Sequence, residues 1–178
     1  HVVRLDTWVP RITGVPMEPR AALGVFDEST GRYTLYAGSG GVVRHKNDLA
    51  EILGVPETAV RVVAQDVGGN FGTRNSFYPE FALVVWAARR LRRPVKWTCT
   101  RREAFLTDYQ ARDLVSHMEL ALDAEGGFLA MRGVNTSNVG AHAVTFVPLN
   151  KGRELSTSVY RMPAAAVRGR AVLSNTSP

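Results

Sequence analysis

The chain has 178 residues, 45% hydrophobic and 21% charged, which suits one globular domain or two small lobes. No apolar run approaches the roughly 20 residues that span a bilayer, so no membrane span is expected, and the opening HVVRLDTWVPR has no signal-peptide pattern. The net charge of +6 raises nucleic acid as a partner. However, the clustered cations Arg89, Arg90, Arg92, Arg93, Lys96, Arg101 and Arg102 are not interleaved with stacking aromatics, which favours a solvated or partner-facing surface.

In chain order, residues 2–9 alternate loosely and read as a strand. Pro10 and the stretch 14–19 break it. Residues 20–27 and 33–37 read as a hairpin across the turn ESTGR, with Gly31 in place. Gly38, Ser39, Gly40 and Gly41 form a flexible loop. Residues 43–53 then carry an amphipathic pattern, ended by Gly54 with Pro56 beyond. Residues 60–64 (VRVVA) are β-branched and read as a buried strand. Residues 77–91 read as a mostly buried helix carrying Phe81, Leu83, Val84, Val85, Ala88 and Leu91, with Pro79 tolerable in its first turn. A strand at 95–98 completes strand, loop, helix, strand, the βαβ signature.

Residues 101–105 suggest one helical turn. Residues 114–123 and 128–135 pair across AEGG. Residues 138–150 read as loop and 167–173 as a final strand. The fold class expected is α+β (α/β-like), a mixed sheet with a βαβ unit and β-hairpins and with helices packed on the sheet. The ends, a start without Met and a finish on SNTSP, read as cut.

The segment 66–74 (DVGGNFGTR) carries the chemistry. Gly68 and Gly69 accept positive φ and let a ligand approach the backbone. Amides at the start of the following helix are expected to favour a phosphate, a metal–oxo group or an oxyanion. The spacing is GGxxG rather than GxGxxG, and no P-loop Lys-Ser/Thr follows. On spacing alone an anion cradle and a plain tight turn stay equally open. Cys99, the one cysteine, reads as a small half-buried side chain and fits a reduced, cytoplasmic setting. His45, His117 and His142 have no ligand spacing, and no metal site is expected. Glu80 reads as structural.

Read together, MEPRAALGVFD (17–27), VRVVAQDVGGNFGTR (60–74), YPEFALVVWAARRLRRPVKWT (78–98), LALDAEGGFLAMR (120–132), SNVGAH (137–142) and VYRMPAAAVRGRAVLSNTSP (159–178) resemble the molybdenum hydroxylases. That family includes xanthine dehydrogenase, aldehyde oxidase and carbon monoxide dehydrogenase. The resemblance runs in order over nearly the whole chain. It implies a molybdopterin cofactor in a large subunit that oxidises aldehydes, aromatic heterocycles or carbon monoxide. Electrons would leave through iron–sulfur clusters and FAD on partner domains or subunits.

The chain is then the first part of that subunit's molybdopterin-binding region over 1–178, with sub-lobes expected at 1–98 and 99–178. Its partners would be the remainder of the same subunit, the iron–sulfur and FAD subunits, and a small-molecule substrate. By the resemblance, Gly68, Gly69, Asn70, Phe71 and Gly72 stand where the family's GGGFG loop lies against molybdenum and pterin. Asn70 replaces a glycine and is expected to take left-handed geometry. Phe71 has the alternative role of a buried ring packing helix on sheet. Gly40 stands where many members carry Gln. Asn75 stands where purine-hydroxylating members carry Glu, which argues against purine hydroxylation. No residue here is assigned a catalytic role. Two alternatives stay beside this reading: a non-catalytic structural or partner-docking domain, and a basic nucleic-acid-binding module.

Overall fold

The computed structural model describes residues 1–176. They form eight strands and four α-helices in two compact units, one made of 13–108 and the other of 1–12 with 109–178. The fold is α+β.

The 13–108 unit is built on a four-stranded sheet. β2 (Ala21–Asp27) and β3 (Arg32–Ala37) form the expected antiparallel hairpin. Helix α1 (Val42–Leu53) crosses over to β4 (Val60–Val63), which lies parallel to β3. Helix α2 (Pro79–Leu91) returns to β5 (Val95–Thr98), antiparallel to β2, giving the order β4-β3-β2-β5. The unit therefore holds an adjacent βαβ (β3-α1-β4) and a split one, with β4 and β5 at opposite edges. The sequence reading recognised only the second.

Helix α1 ends on Gly54 at φ 65, in the left-handed cap a glycine allows. In α2, Pro79 sits in the first turn and Arg92 closes the helix at φ 52. Phe81, Val84, Val85 and Ala88 are buried, but Leu83, Trp86 and Leu91 are exposed. The helix is thus two-sided rather than mostly buried. Its buried side lies close on β2: a Cβ at Gly24 would sit 2.5 Å from the Val84 carbonyl oxygen. Short helix α3 (Arg101–Thr107) starts on a capping box, with Thr100 accepting from the Glu103 N–H and Glu103 accepting from the Thr100 N–H. Cys99 is fully buried rather than half-buried, and burial pushes its thiol pKa up.

Part of the basic cluster is used inside this unit. Arg89 donates to the Tyr33 hydroxyl at 2.7 Å, and Arg92 pairs with Glu28 at 3.1 Å.

The other unit is a second four-stranded sheet, ordered β1-β6-β7-β8. β1 (Val2–Val9) pairs antiparallel with β6 (Leu114–Leu122), and β6 with β7 (Phe128–Asn138). β8 (Ala165–Val172) runs parallel to β7. The parallel step requires a crossover, and helix α4 (Val147–Glu154) supplies it. This corrects the expected loop over 138–150: α4 begins inside it. Leu149 of α4 is buried, and it lies 3.7 Å from where a Cβ at Gly169 would stand. His117 lies on β6, bonded to Asp6 at 2.7 Å. Among the described residues no group of His, Cys, Asp and Glu could hold a metal ion, and no helix is long and apolar enough to cross a membrane.

Candidate functional site: the glycine loop

All five candidate cofactor contacts, Gly68 to Gly72, lie in the 13–108 unit between β4 and α2. The loop does not run straight into α2. A turn intervenes, closed by Thr73 N–H to the Asn70 carbonyl at 3.0 Å and Asn75 N–H to the Gly72 carbonyl at 3.2 Å. The α2 amides are therefore not the ones lining the loop, which corrects the sequence reading.

Two segments hold the loop. The first is 14–18. Glu18 brackets Gly68: its Oε2 accepts from the Gly68 N–H at 2.6 Å, and its own N–H donates to the Gly68 carbonyl at 3.1 Å. A Cβ at Gly69 would stand 3.1 Å from Pro16 Cβ, and one at Gly14 would stand 3.1 Å from Phe71 Cβ. The second is 38–41, where the Gly40 N–H donates to the Arg74 carbonyl at 2.9 Å.

Beneath the loop sits a buried charge cluster. Arg74 donates to the Glu18 carbonyl at 2.6 Å and pairs with Asp108 at 3.5 Å. Asp108 also takes Arg20 at 2.8 Å. Arg20 reaches Glu80 at 3.2 Å and stacks over the Tyr78 ring at 3.9 Å. Glu80 is therefore structural, as its place inside the helix suggested. Sequence reasoning passed over Glu18, Arg74 and Asp108. The one available signal was the pairing of MEPR with the Arg that follows the glycines.

The loop backbone differs from expectation at two residues. Asn70 is not left-handed; Phe71 is, at φ 50, between Gly69 at φ 113 and Gly72 at φ 92. A bulky residue at positive φ stores on the order of 1–3 kcal/mol and persists only where its surroundings over-determine it. The Phe71 ring is 74% exposed, so it does not pack helix on sheet. Asn70 Oδ1 accepts from the N–H groups of Gly72 at 3.0 Å and Arg74 at 3.2 Å. Those two donors are thus consumed within the loop. Among the described residues, the N–H groups of Gly69, Asn70 and Phe71 have no hydrogen-bond acceptor. Three consecutive free amides, an exposed aromatic ring and glycines without Cβ atoms make a cradle for a group with oxygen acceptors and a flat apolar part.

His45, in the first turn of α1, is fully buried against Phe77 and Phe81 and beside the backbone of Asn75 and Ser76, with no close hydrogen bond to either ring nitrogen. Burial lowers its pKa, against an opposing pull from Asp48. The folded protein thus keeps it neutral, while the unfolded chain takes up a proton near 6.5. Its contribution to stability is fully present above that pH and falls as the pH drops from there toward the lower folded pKa. His45→Phe, which keeps the ring contacts, should flatten this loss. Thermal melts of both proteins from neutral to mildly acidic pH check it; parallel curves would sink the assignment.

The chain belongs to the molybdopterin cofactor-binding domain family, whose model matches residues 1–178. It is 37% identical over 183 residues to the 6-hydroxypseudooxynicotine dehydrogenase complex subunit gamma of Paenarthrobacter nicotinovorans, covering 100% of this chain and 22% of that one. It is 30% identical over 174 residues to the carbon monoxide dehydrogenase large chain of Hydrogenophaga pseudoflava, covering 96% and 22%. Quinoline 2-oxidoreductase from Pseudomonas putida 86 superimposes with a TM-score of 0.93 at 31% identity, over 100% of this chain and 23% of that structure. The chain thus spans about a fifth of the length of the relatives it matches.

Proposed function

We propose that the full-length protein is a molybdopterin-dependent oxidoreductase and that this chain supplies one wall of the cofactor pocket. Gly68, Gly69, Asn70, Phe71 and Gly72 form that wall, with the free amides of Gly69, Asn70 and Phe71 as its donors. The observation that carries the reading is the run of free N–H groups at Gly69, Asn70 and Phe71 beside an exposed ring. The donor set fits a ligand with anionic and oxo oxygens, because fixed amide dipoles in a preorganised loop stabilise negative charge without reorganising. Bound there, the cofactor supplies the redox centre. The chain's own residues would hold it: the loop amides would donate to its oxygen atoms and the exposed Phe71 ring would pack beside it, while Glu18 and Arg74 fix the loop.

The substrate class that fits best is an aromatic heterocycle, in line with the relatives named for a hydroxylated nicotine derivative and for quinoline. Asn75, an uncharged side chain just after the loop, argues against purines. General acid–base chemistry and iron–sulfur and FAD centres belong to the rest of the subunit and to partner subunits; the gamma-subunit and large-chain names of the relatives favour such an assembly. A location in the cytoplasm completes the reading.

The test is metal analysis of the full-length protein expressed in a host that makes molybdopterin. About one molybdenum per subunit is expected. Metal near zero would overturn the proposal in favour of a non-catalytic domain.

A further inference from the structure

We propose that Asn70 and Asn75 form a carboxamide bridge that fills the side-chain space of position 40 and holds Phe71 in its left-handed state with its N–H free. Positions 40, 70 and 75 would then be one interlocked positioning unit. Asn70 Nδ2 donates to Asn75 Oδ1 at 3.0 Å. A Cβ built on Gly40 collides with both of these atoms and stands 3.0 Å from Asn75 Cγ. No backbone atom is among the three nearest to that Cβ, and Gly40 is not at positive φ. A side chain at position 40 is therefore excluded only while the two carboxamides keep this arrangement, and not by the backbone conformation of Gly40. Gly41 is the contrast, with nothing within 4 Å of its Cβ.

The bridge reaches the ligand-facing side of the loop through a single side chain. Asn70 Nδ2 is held by Asn75, while Asn70 Oδ1 holds the Gly72 and Arg74 amides. Those bonds close the turn after Phe71 and oppose its return to negative φ. Without the Asn75 acceptor, the Asn70 carboxamide loses the bond that fixes its Nδ2 end, and its hold on the Gly72 and Arg74 amides loosens. Neither asparagine touches the cofactor through its side chain in this scheme. Both act through the Phe71 backbone, and this half of the inference rests on the function proposed above.

The test is a cycle in the full-length protein with two readouts, melting temperature and molybdenum per subunit. Gly40→Ala should lower the melting temperature by several degrees, and adding Asn75→Ala should restore part of that loss, since the second change removes the colliding carboxamide. Asn75→Ala alone should reduce molybdenum content about tenfold, the weight of releasing the strained loop. Asn75→Asp, which keeps the acceptor oxygen for Asn70, should hold content near wild type, whereas Asn75→Leu, of similar size but without the acceptor, should lose as much as Asn75→Ala, a split that space-filling alone does not predict. Additive melting shifts would overturn the interlock, and equal molybdenum loss in Asn75→Ala and Asn75→Asp would overturn the positioning role. A wild-type protein without molybdenum would overturn the function proposed above and the positioning role with it, while the melting cycle would still uphold or refute the interlock.

Discussion

Asp108→Ala is expected to cost about 3–5 kcal/mol of stability, the usual penalty for removing one partner of a buried ion pair. Asp108 is 1% exposed and takes Arg20 at 2.8 Å and Arg74 at 3.5 Å. Both arginines are themselves buried, so neither can turn to water when the carboxylate goes. Glu80 reaches only Arg20, which leaves Arg74 with the Glu18 carbonyl and the Thr73 hydroxyl as its remaining acceptors. The damage should therefore reach the glycine loop, because Arg74 is the residue on which the loop closes. Equilibrium denaturation measures the effect, and Asp108→Asn should lie between wild type and alanine because it keeps an acceptor oxygen. The control is Glu119→Ala, which removes the partner of Arg4 and Arg132 on an exposed sheet face. There water and salt screen the pairs, and a small effect is expected. If both alanine variants cost the same, the buried cluster is not what anchors the loop.

What the sequence reveals here follows the range of the physics. The strands 2–9 and 95–98, the hairpins and helices α1 and α2 are local events: turn glycines, β-branched runs and capping residues are all within a few positions of one another. They stand where their patterns put them. Helix α4 was illegible because Pro148, Gly152 and its polar residues give no clear apolar stripe; Leu149, its one buried residue, packs on β8 sixteen or more residues away in sequence. The division into units was equally out of reach. Residues 2–9 join the second sheet only by pairing with 114–121, and nothing local marks that partner.

The candidate loop shows the same limit in miniature. Its glycines were visible, and the resemblance over six separated segments gave them a role. The conformational load, however, falls on Phe71 and not on Asn70. A sequence rule assigns positive φ to the residue that tolerates it best. The structure instead uses the Asn70 side chain to hold two amides, and so forces the strain onto its neighbour. Glu18 was likewise hidden, because its partner Gly68 lies 50 positions along the chain.

Gly69→Val separates the two sources of loop shape. Gly69 lies at φ 113, outside the region open to β-branched residues. Its Cβ would also stand 3.0 Å from the Phe71 ring and 3.1 Å from Pro16. Both walls of the cradle would have to move, and the free amides of Gly69, Asn70 and Phe71 would move with them. Molybdenum content of the full-length protein should fall at least tenfold, since misplacing three donors by even 1 Å forfeits bonds worth about 1.5–3 kcal/mol each when the acceptor is charged. Gly72→Ala is the comparison. At φ 92 it shares the conformational penalty, but nothing lies within 4 Å of its Cβ. It should lose stability of about 1–3 kcal/mol and keep most of its metal, because the Gly72 amide is already committed to Asn70. If Gly72→Ala sheds molybdenum as completely as Gly69→Val, backbone strain alone governs loading and the three free amides are not the contact. If Gly69→Val keeps its metal while its melting temperature falls, the cradle is a structural turn and the cofactor is held elsewhere in the subunit.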